Sequence, residues 1–94
     1  MKVFWTSAAE QDRADILDFI GRDKPLAAIG MDERFGDAAG RLSAHPLLGR
    51  AGRVAGTREL VVHTSYILVY DVIADSVRVL RVLHAARQWP PQRT

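Results

Sequence analysis

The chain contains no cysteine, which excludes disulfides, thiolate zinc sites and a cysteine nucleophile. Its three histidines lack the spacing of metal ligands, so we expect neither a metal nor a cofactor. No apolar run approaches the roughly 20 residues that a membrane helix needs. The acidic residues Glu10 and Asp12 appear before any long apolar segment, so no secretory signal is visible. We therefore expect a cytoplasmic protein with no membrane association.

Lysine is also scarce, since two lysines accompany eleven arginines within a net charge of +2. A GC-rich genome alone would enrich arginine, but it would not explain why Arg50, Arg53 and Arg58 cluster in one segment. Arginine suits planar, bidentate contact with phosphate or carboxylate. The 94 residues are enough for one domain, 1–94, and too few for separate cofactor and substrate domains. We expect no small-molecule substrate.

The first half of the chain predicts one strand followed by two helices. Residues 2–5 form a short β-rich run, after which Thr6 or Ser7 can cap a helix over 8–22. A second helix begins at Pro25 and ends before His45-Pro46. The apolar side of the first helix is formed by Ala9, Ile16, Leu17, Phe19 and Ile20. Its polar side is formed by Asp12, Arg13, Asp15 and Asp18.

The second half predicts a glycine-rich linker, 47–56, and three strands at about 58–62, 66–73 and 77–83. The turns between these strands are short and polar, so the strands form an antiparallel meander with the apolar middle strand at its centre. The order β-α-α-β-β-β predicts an α+β fold. It consists of a small twisted antiparallel sheet with an N-terminal strand, an α-helical hairpin packed on one face and a C-terminal three-stranded meander.

Three segments carry a family resemblance: GRAGRVAGTREL, YILVYDV and VLRVLHAARQW. In this order they resemble the RelE/ParE superfamily of toxins from type II toxin–antitoxin modules, and the ParE-like members more closely. In RNA-cutting RelE-like members the central strand typically reads Tyr-Arg-Leu-Val-Tyr, and its arginine contacts RNA phosphate. Here Ile67 stands in place of that arginine. The strand ending at His84 is similar to ParE-like toxins, whereas Arg87 matches a catalytic arginine of the ribonucleases.

The resemblance implies a toxin that arrests bacterial growth in a stress response and is neutralised by direct binding of a cognate antitoxin. ParE-like members are associated with inhibition of DNA gyrase, which we take as the first hypothesis and which would make the protein a non-enzyme. The alternative is a RelE-like, ribosome-dependent mRNA endonuclease. A third possibility is a degenerate toxin that is kept only as a folded partner of the antitoxin.

Cutting RNA at a 2′-hydroxyl needs a base, an acid and cations that neutralise the developing charge. The candidate catalytic residues are His84, Arg87 and Arg58, and Glu59 is a candidate base. Strand alternation predicts that Arg58, Leu60 and Val62 face one side of the sheet, and that Glu59, Val61 and His63 face the other.

Binding of the target requires charged and aromatic groups, and its candidates are Arg50, Arg53, His63, Tyr66 and Trp89. Several of these residues also have a plausible structural role. His84 can bond the backbone, Arg58 and Glu59 can form ion pairs on an exposed face, and Trp89 can pack against the core. For the antitoxin, the candidate surfaces are the helix around Leu26 and Ile29 and the strand at 58–62.

Overall fold

The computed structural model describes residues 1–86 and 89–90. Within this range the elements are β1 (Lys2–Trp5), α1 (Ser7–Gly21), α2 (Pro25–Ala44), β2 (Arg50–Ala51), β3 (Arg58–His63), β4 (Tyr66–Ile73) and β5 (Ser76–His84). The strands form one sheet in the order β1-β5-β4-β3-β2, and the two helices pack on one face of it. The predicted α+β fold is confirmed.

The sheet is mixed, because β1 runs parallel to β5 while every other neighbouring pair is antiparallel. The central position predicted for β4 is also confirmed, and its first five residues are buried. The predicted linker contains one element that the sequence does not reveal. This element is β2, whose two residues pair with Arg58 and Glu59 of β3.

Both helices begin where the sequence predicts. The Thr6 hydroxyl accepts from the backbone N–H of Ala9 at 3.2 Å and donates to the Leu80 carbonyl at 3.0 Å, so it caps α1 and fastens it to β5. Such a cap contributes about 1 kcal/mol. Pro25 occupies the start of α2, where its missing N–H leaves no helix bond unmade. Neither helix is long and apolar enough to cross a membrane in the described chain.

The two sides of α1 differ from the prediction. Asp12 and Arg13, predicted on the polar side, are half-buried, while Phe19 of the apolar side is 71% exposed. The reason is that β1 ends at Trp5, so the second half of β5 has no strand neighbour on that side and α1 lies along this edge. Arg13 is covered by contacts to Asp32 of α2, at 2.9 Å, and to the ring of Trp5.

The hydrophobic core lies between the helices and the sheet. Its fully buried larger side chains on that face include Phe35, Leu42, Leu68, Tyr70, Val77 and Val79. The Tyr70 hydroxyl accepts from the N–H of Gly49 at 2.8 Å and donates to the carbonyl of Pro46 at 2.9 Å. A Cβ at position 49 would lie 2.8 Å from that hydroxyl, so only glycine fits there. The core therefore holds the start of the glycine-rich segment in place.

Candidate functional site

A row of three ring side chains crosses one end of the sheet. Tyr66 pairs with His63 on one side and with His84 on the other, and the Tyr66 and His84 rings meet edge-on at 5.5 Å. A β-bulge between Val61 and His63 inserts one extra residue into β3. Directly paired residues share a face, so the predicted alternation is wrong for His63, which lies on the face of Tyr66.

Both histidines close a turn through Nδ1. The N–H of Ser65 donates to Nδ1 of His63 at 3.2 Å, and the N–H of Ala86 donates to Nδ1 of His84 at 3.1 Å. A ring nitrogen that accepts a hydrogen bond carries no proton, so each neutral ring carries its proton on Nε2. The backbone contact considered for His84 is therefore present, while its side chain remains exposed.

A groove of about 280 Å³ lies between this row and α1. Its wall is apolar and aromatic on the sheet side, and the helix adds two carboxylates at the rim. It is lined by Asp12, Asp15, Ile16, Phe19, Tyr66, Val82 and His84. The helix residues of this groove were absent from the sequence-based candidates. Their spacing of three and four places them on one side of α1, but the sequence does not indicate that this side faces the end of β5.

Asp12 connects α1 to β5 at the groove. Its carboxylate accepts from Arg81 Nε at 2.7 Å and Nη2 at 2.9 Å, and from the N–H of Val82 at 2.9 Å. The hydrogen bonds to Asp12 raise the pKa of the Arg81 guanidinium above its ordinary value. Asp12 thereby accepts the backbone N–H of Val82 at an edge of β5 that β1 does not reach.

The opposite face of the sheet is covered at its centre by Arg53 and Trp89. Beneath them lie the buried apolar side chains Ile67, Val69 and Leu83. Glu59 is buried on the same face, and its carboxylate is paired with Arg50 and Arg53. We refer to Arg50, Arg53 and Glu59 as the arginine cluster. The cross-strand ion pair considered for Glu59 is present, with Arg50 of β2, but its carboxylate is buried and does not lie on an exposed face.

Arg58 lies on the face covered by the helices, where its Nη1 donates to the carbonyl of Gly49 at 2.8 Å. It pairs with Tyr70, whereas His84 pairs with Tyr66. Four residues of β4 separate the two tyrosines, which corresponds to about 13 Å along the strand. The structure therefore places His84 beside the first residue of β4 and Arg58 beside its middle.

The remaining candidates fall into separate groups. Arg50 and Arg53 meet at Glu59, while the Trp89 ring lies 5.8 Å from the guanidinium of Arg81. Arg87 lies outside the described residues. Within residues 1–86 and 89–90, no group of three or more histidine and acidic side chains could hold a metal ion.

Solved structures with a similar fold belong to bacterial toxin systems. One is "Chromosomal ParDE TA system from P. aeruginosa", with a TM-score of 0.79, 23% identity and coverage of 89% of this chain and 95% of the other. Another is "YoeB/ParE toxin from Agrobacterium tumefaciens", with a TM-score of 0.64, 21% identity and coverage of 89% and 98%. The chain thus shares its α+β fold with these two toxin structures.

Sequence comparisons are more specific. Residues 3–89 match the family described as "ParE toxin of type II toxin-antitoxin system, parDE". Toxin RelE2 of Caulobacter vibrioides is 42% identical over 86 residues, covering 92% of this chain and 97% of that protein. Putative toxin Y4kP of Sinorhizobium fredii is 39% identical over 90 residues, covering 95% and 93%.

The chain belongs to the ParE toxin family. It is therefore a toxin of a type II toxin–antitoxin system, and its family implies a cognate antitoxin as partner.

Proposed function

We propose that this toxin arrests growth by inhibiting DNA gyrase rather than by cutting mRNA. The main support is the identity and burial of Ile67, which stands where RNA-cutting relatives carry an arginine. Its side chain is 6% exposed and is packed with Val69 and Leu83 beneath Arg53 and Trp89. The side chain at position 67 therefore supplies no cation for an RNA phosphate.

The positions of the candidate catalytic groups also support a non-enzymatic toxin. A general acid or base must lie within hydrogen-bond reach of the proton it transfers. His84 and Arg58 are about 13 Å apart along β4, and Glu59 lies on the opposite face in contact with two arginines. This arrangement does not favour a shared role for the three residues at one scissile phosphate.

The second candidate function is ribosome-dependent cleavage of mRNA, and His84 is the observation that favours it. Its ring is exposed beside Tyr66, and imidazole is the side chain most often used for proton transfer in catalysis. In that case His84→Ala and Arg87→Ala would abolish transcript cleavage.

Expression of the toxin in a bacterial host separates the two functions. Gyrase inhibition predicts growth arrest, induction of an SOS reporter and intact transcripts. The host should recover when the neighbouring antitoxin gene is expressed with the toxin. Cleaved transcripts without SOS induction would contradict the proposal, and normal growth with verified soluble toxin would identify a degenerate member.

We further propose that the antitoxin neutralises the toxin by inserting an apolar side chain into the groove beside His84. The volume of about 280 Å³ suits one or two side chains. The exposed Phe19 ring adds apolar surface at the entrance, where an aromatic anchor contributes most to binding. Asp15 at the rim favours a neighbouring basic group on the antitoxin.

A further inference from the structure

Among the described residues, Glu59 is the buried charged side chain, with 2% of its surface exposed. One carboxylate oxygen accepts from Arg50 Nη2 at 3.2 Å. The other accepts from the backbone N–H of Arg53 at 3.1 Å and lies 3.6 Å from Arg53 Nε. A buried carboxylate needs such partners, because removing a charge from water costs several kcal/mol.

The arginines themselves are not buried. The Arg50 and Arg53 side chains are 58% and 44% exposed, although both contact the same carboxylate. A guanidinium has five N–H donors, so each arginine retains donors that can point to solvent. Glu59 also offsets the repulsion between two positive charges held side by side. The cluster thus presents two neighbouring guanidiniums, an arrangement suited to phosphate.

The charge of the chain is distributed unevenly along the sequence. Residues 45–94, which include β2 to β5, contain seven arginines and three acidic residues. Residues 1–44, which include both helices, contain six basic and eight acidic residues. An extended, repeating anion is attracted to the basic C-terminal half, residues 45–94, and repelled by the acidic N-terminal half, residues 1–44. Nucleic acid fits this asymmetry because it carries one negative charge per about 1.7 Å of duplex.

We propose that Arg50 and Arg53 bind backbone phosphates of the duplex DNA on which the target acts, and that Glu59 is the positioning residue that fixes their spacing. This inference rests on the proposed function, since gyrase acts on duplex DNA. It assigns the arginines to DNA contact and leaves the groove beside His84 to the antitoxin.

The Glu59→Gln variant distinguishes positioning by Glu59 from simple attraction by net charge, because the two explanations predict opposite changes in DNA affinity. Glutamine keeps the shape of the side chain but removes one negative charge. If the arginines act only through net positive charge, the variant should bind DNA more tightly. If Glu59 positions them, the variant should bind more weakly, by about 3- to 10-fold, since a phosphate contact is lost or misaligned.

Binding is measured by fluorescence anisotropy of a short labelled DNA duplex over a range of salt concentrations. The Arg50→Gln/Arg53→Gln double variant should bind more weakly than wild type and reduce the salt slope by about two. The Arg34→Gln/Arg41→Gln double variant is the matched control, because it removes the same two charges from exposed positions on α2. Circular dichroism verifies that each variant is folded, and Glu59→Asp, which keeps the charge but shortens its reach, is the second positioning variant.

Tighter binding or unchanged binding by Glu59→Gln would overturn the positioning role. If that variant does not fold, weakened binding by folded Glu59→Asp supports the role, and unchanged binding overturns it. Binding by the Arg50→Gln/Arg53→Gln variant equal to that of the Arg34→Gln/Arg41→Gln control would overturn the phosphate contact. Preference for polyglutamate over DNA would assign the arginines to an acidic protein.

A parallel gyrase assay keeps the two proposals distinguishable. Full gyrase inhibition by the Arg50→Gln/Arg53→Gln variant would contradict the DNA contact and leave the proposed function intact. DNA binding by a wild-type toxin that has no effect on gyrase would contradict the proposed function instead.

Discussion

The two faces of the sheet are covered in different ways. The helices cover one face with a continuous apolar layer that includes Phe35 and Leu42. The opposite face is covered at its centre by Arg53 and Trp89, and the carboxylate of Glu59 fastens the segment that carries Arg53. The first face is built for stability, whereas the second combines a small apolar patch with exposed guanidiniums.

Leu68→Ala and Leu83→Ala compare the two faces with the same substitution. Both leucines are buried, Leu68 in the core beneath the helices and Leu83 on the opposite face. We expect Leu68→Ala to lower the free energy of unfolding by about 4 to 5 kcal/mol, because two packed layers cannot close the cavity. Leu83→Ala should cost about 2 kcal/mol, because the covering segment can settle into the space. Urea denaturation measures both, and equal losses would contradict the difference between the faces.

Phe19→Asp tests whether the groove on the helix side binds the antitoxin. Because the Phe19 ring is exposed, the substitution should leave stability nearly unchanged. It should weaken binding of the cognate antitoxin by about 30-fold or more, as loss of an aromatic anchor costs about 2 kcal/mol.

Leu26→Asp is the matched comparison for this experiment, because Leu26 is also exposed and lies outside the groove. Isothermal titration calorimetry with both variants separates the two surfaces. A larger loss of antitoxin affinity for Leu26→Asp would contradict binding at the groove and would assign the antitoxin to the helical surface around Leu26 and Ile29.

Asp12→Asn tests the junction between α1 and β5 with a smaller expected effect. The substitution removes the charge that pairs with the half-buried Arg81, so we expect a loss of about 1 to 2 kcal/mol. Asp15→Asn is the control, since the hydrogen bond of Asp15 with Gln11 is exposed and its loss should cost less than about 0.5 kcal/mol. Thermal unfolding of the two variants gives the comparison, and equal stabilities would show that the junction contributes little.

Local patterns in the sequence predict most of the fold. The apolar run of β4, the cap at Thr6 and the proline at position 25 each indicate an element through its own residues. The strand β2 cannot be predicted from the sequence, because two residues between glycines are too few to show alternating polar and apolar side chains. The bulge before His63 is hidden as well, because it depends on how β3 pairs with β4.

The site is less predictable because its parts come together only in three dimensions. The sequence indicates the clustering of Arg50 and Arg53, but not that Glu59 is buried beneath them. That burial requires the segment after α2 to return across the sheet. Likewise, Asp12 becomes part of the groove because β1 is shorter than β5 and leaves an edge of β5 open to α1. The sequence of neither strand alone indicates this difference in length.

The most direct test of the proposed function uses purified toxin, DNA gyrase and relaxed plasmid, with translating ribosomes and mRNA in a parallel reaction. We predict that the toxin blocks supercoiling or traps gyrase on cleaved plasmid, and that mRNA on the ribosome stays intact. Addition of the antitoxin should reverse the effect on gyrase. Cleavage of ribosome-bound mRNA with unaffected gyrase would contradict the account.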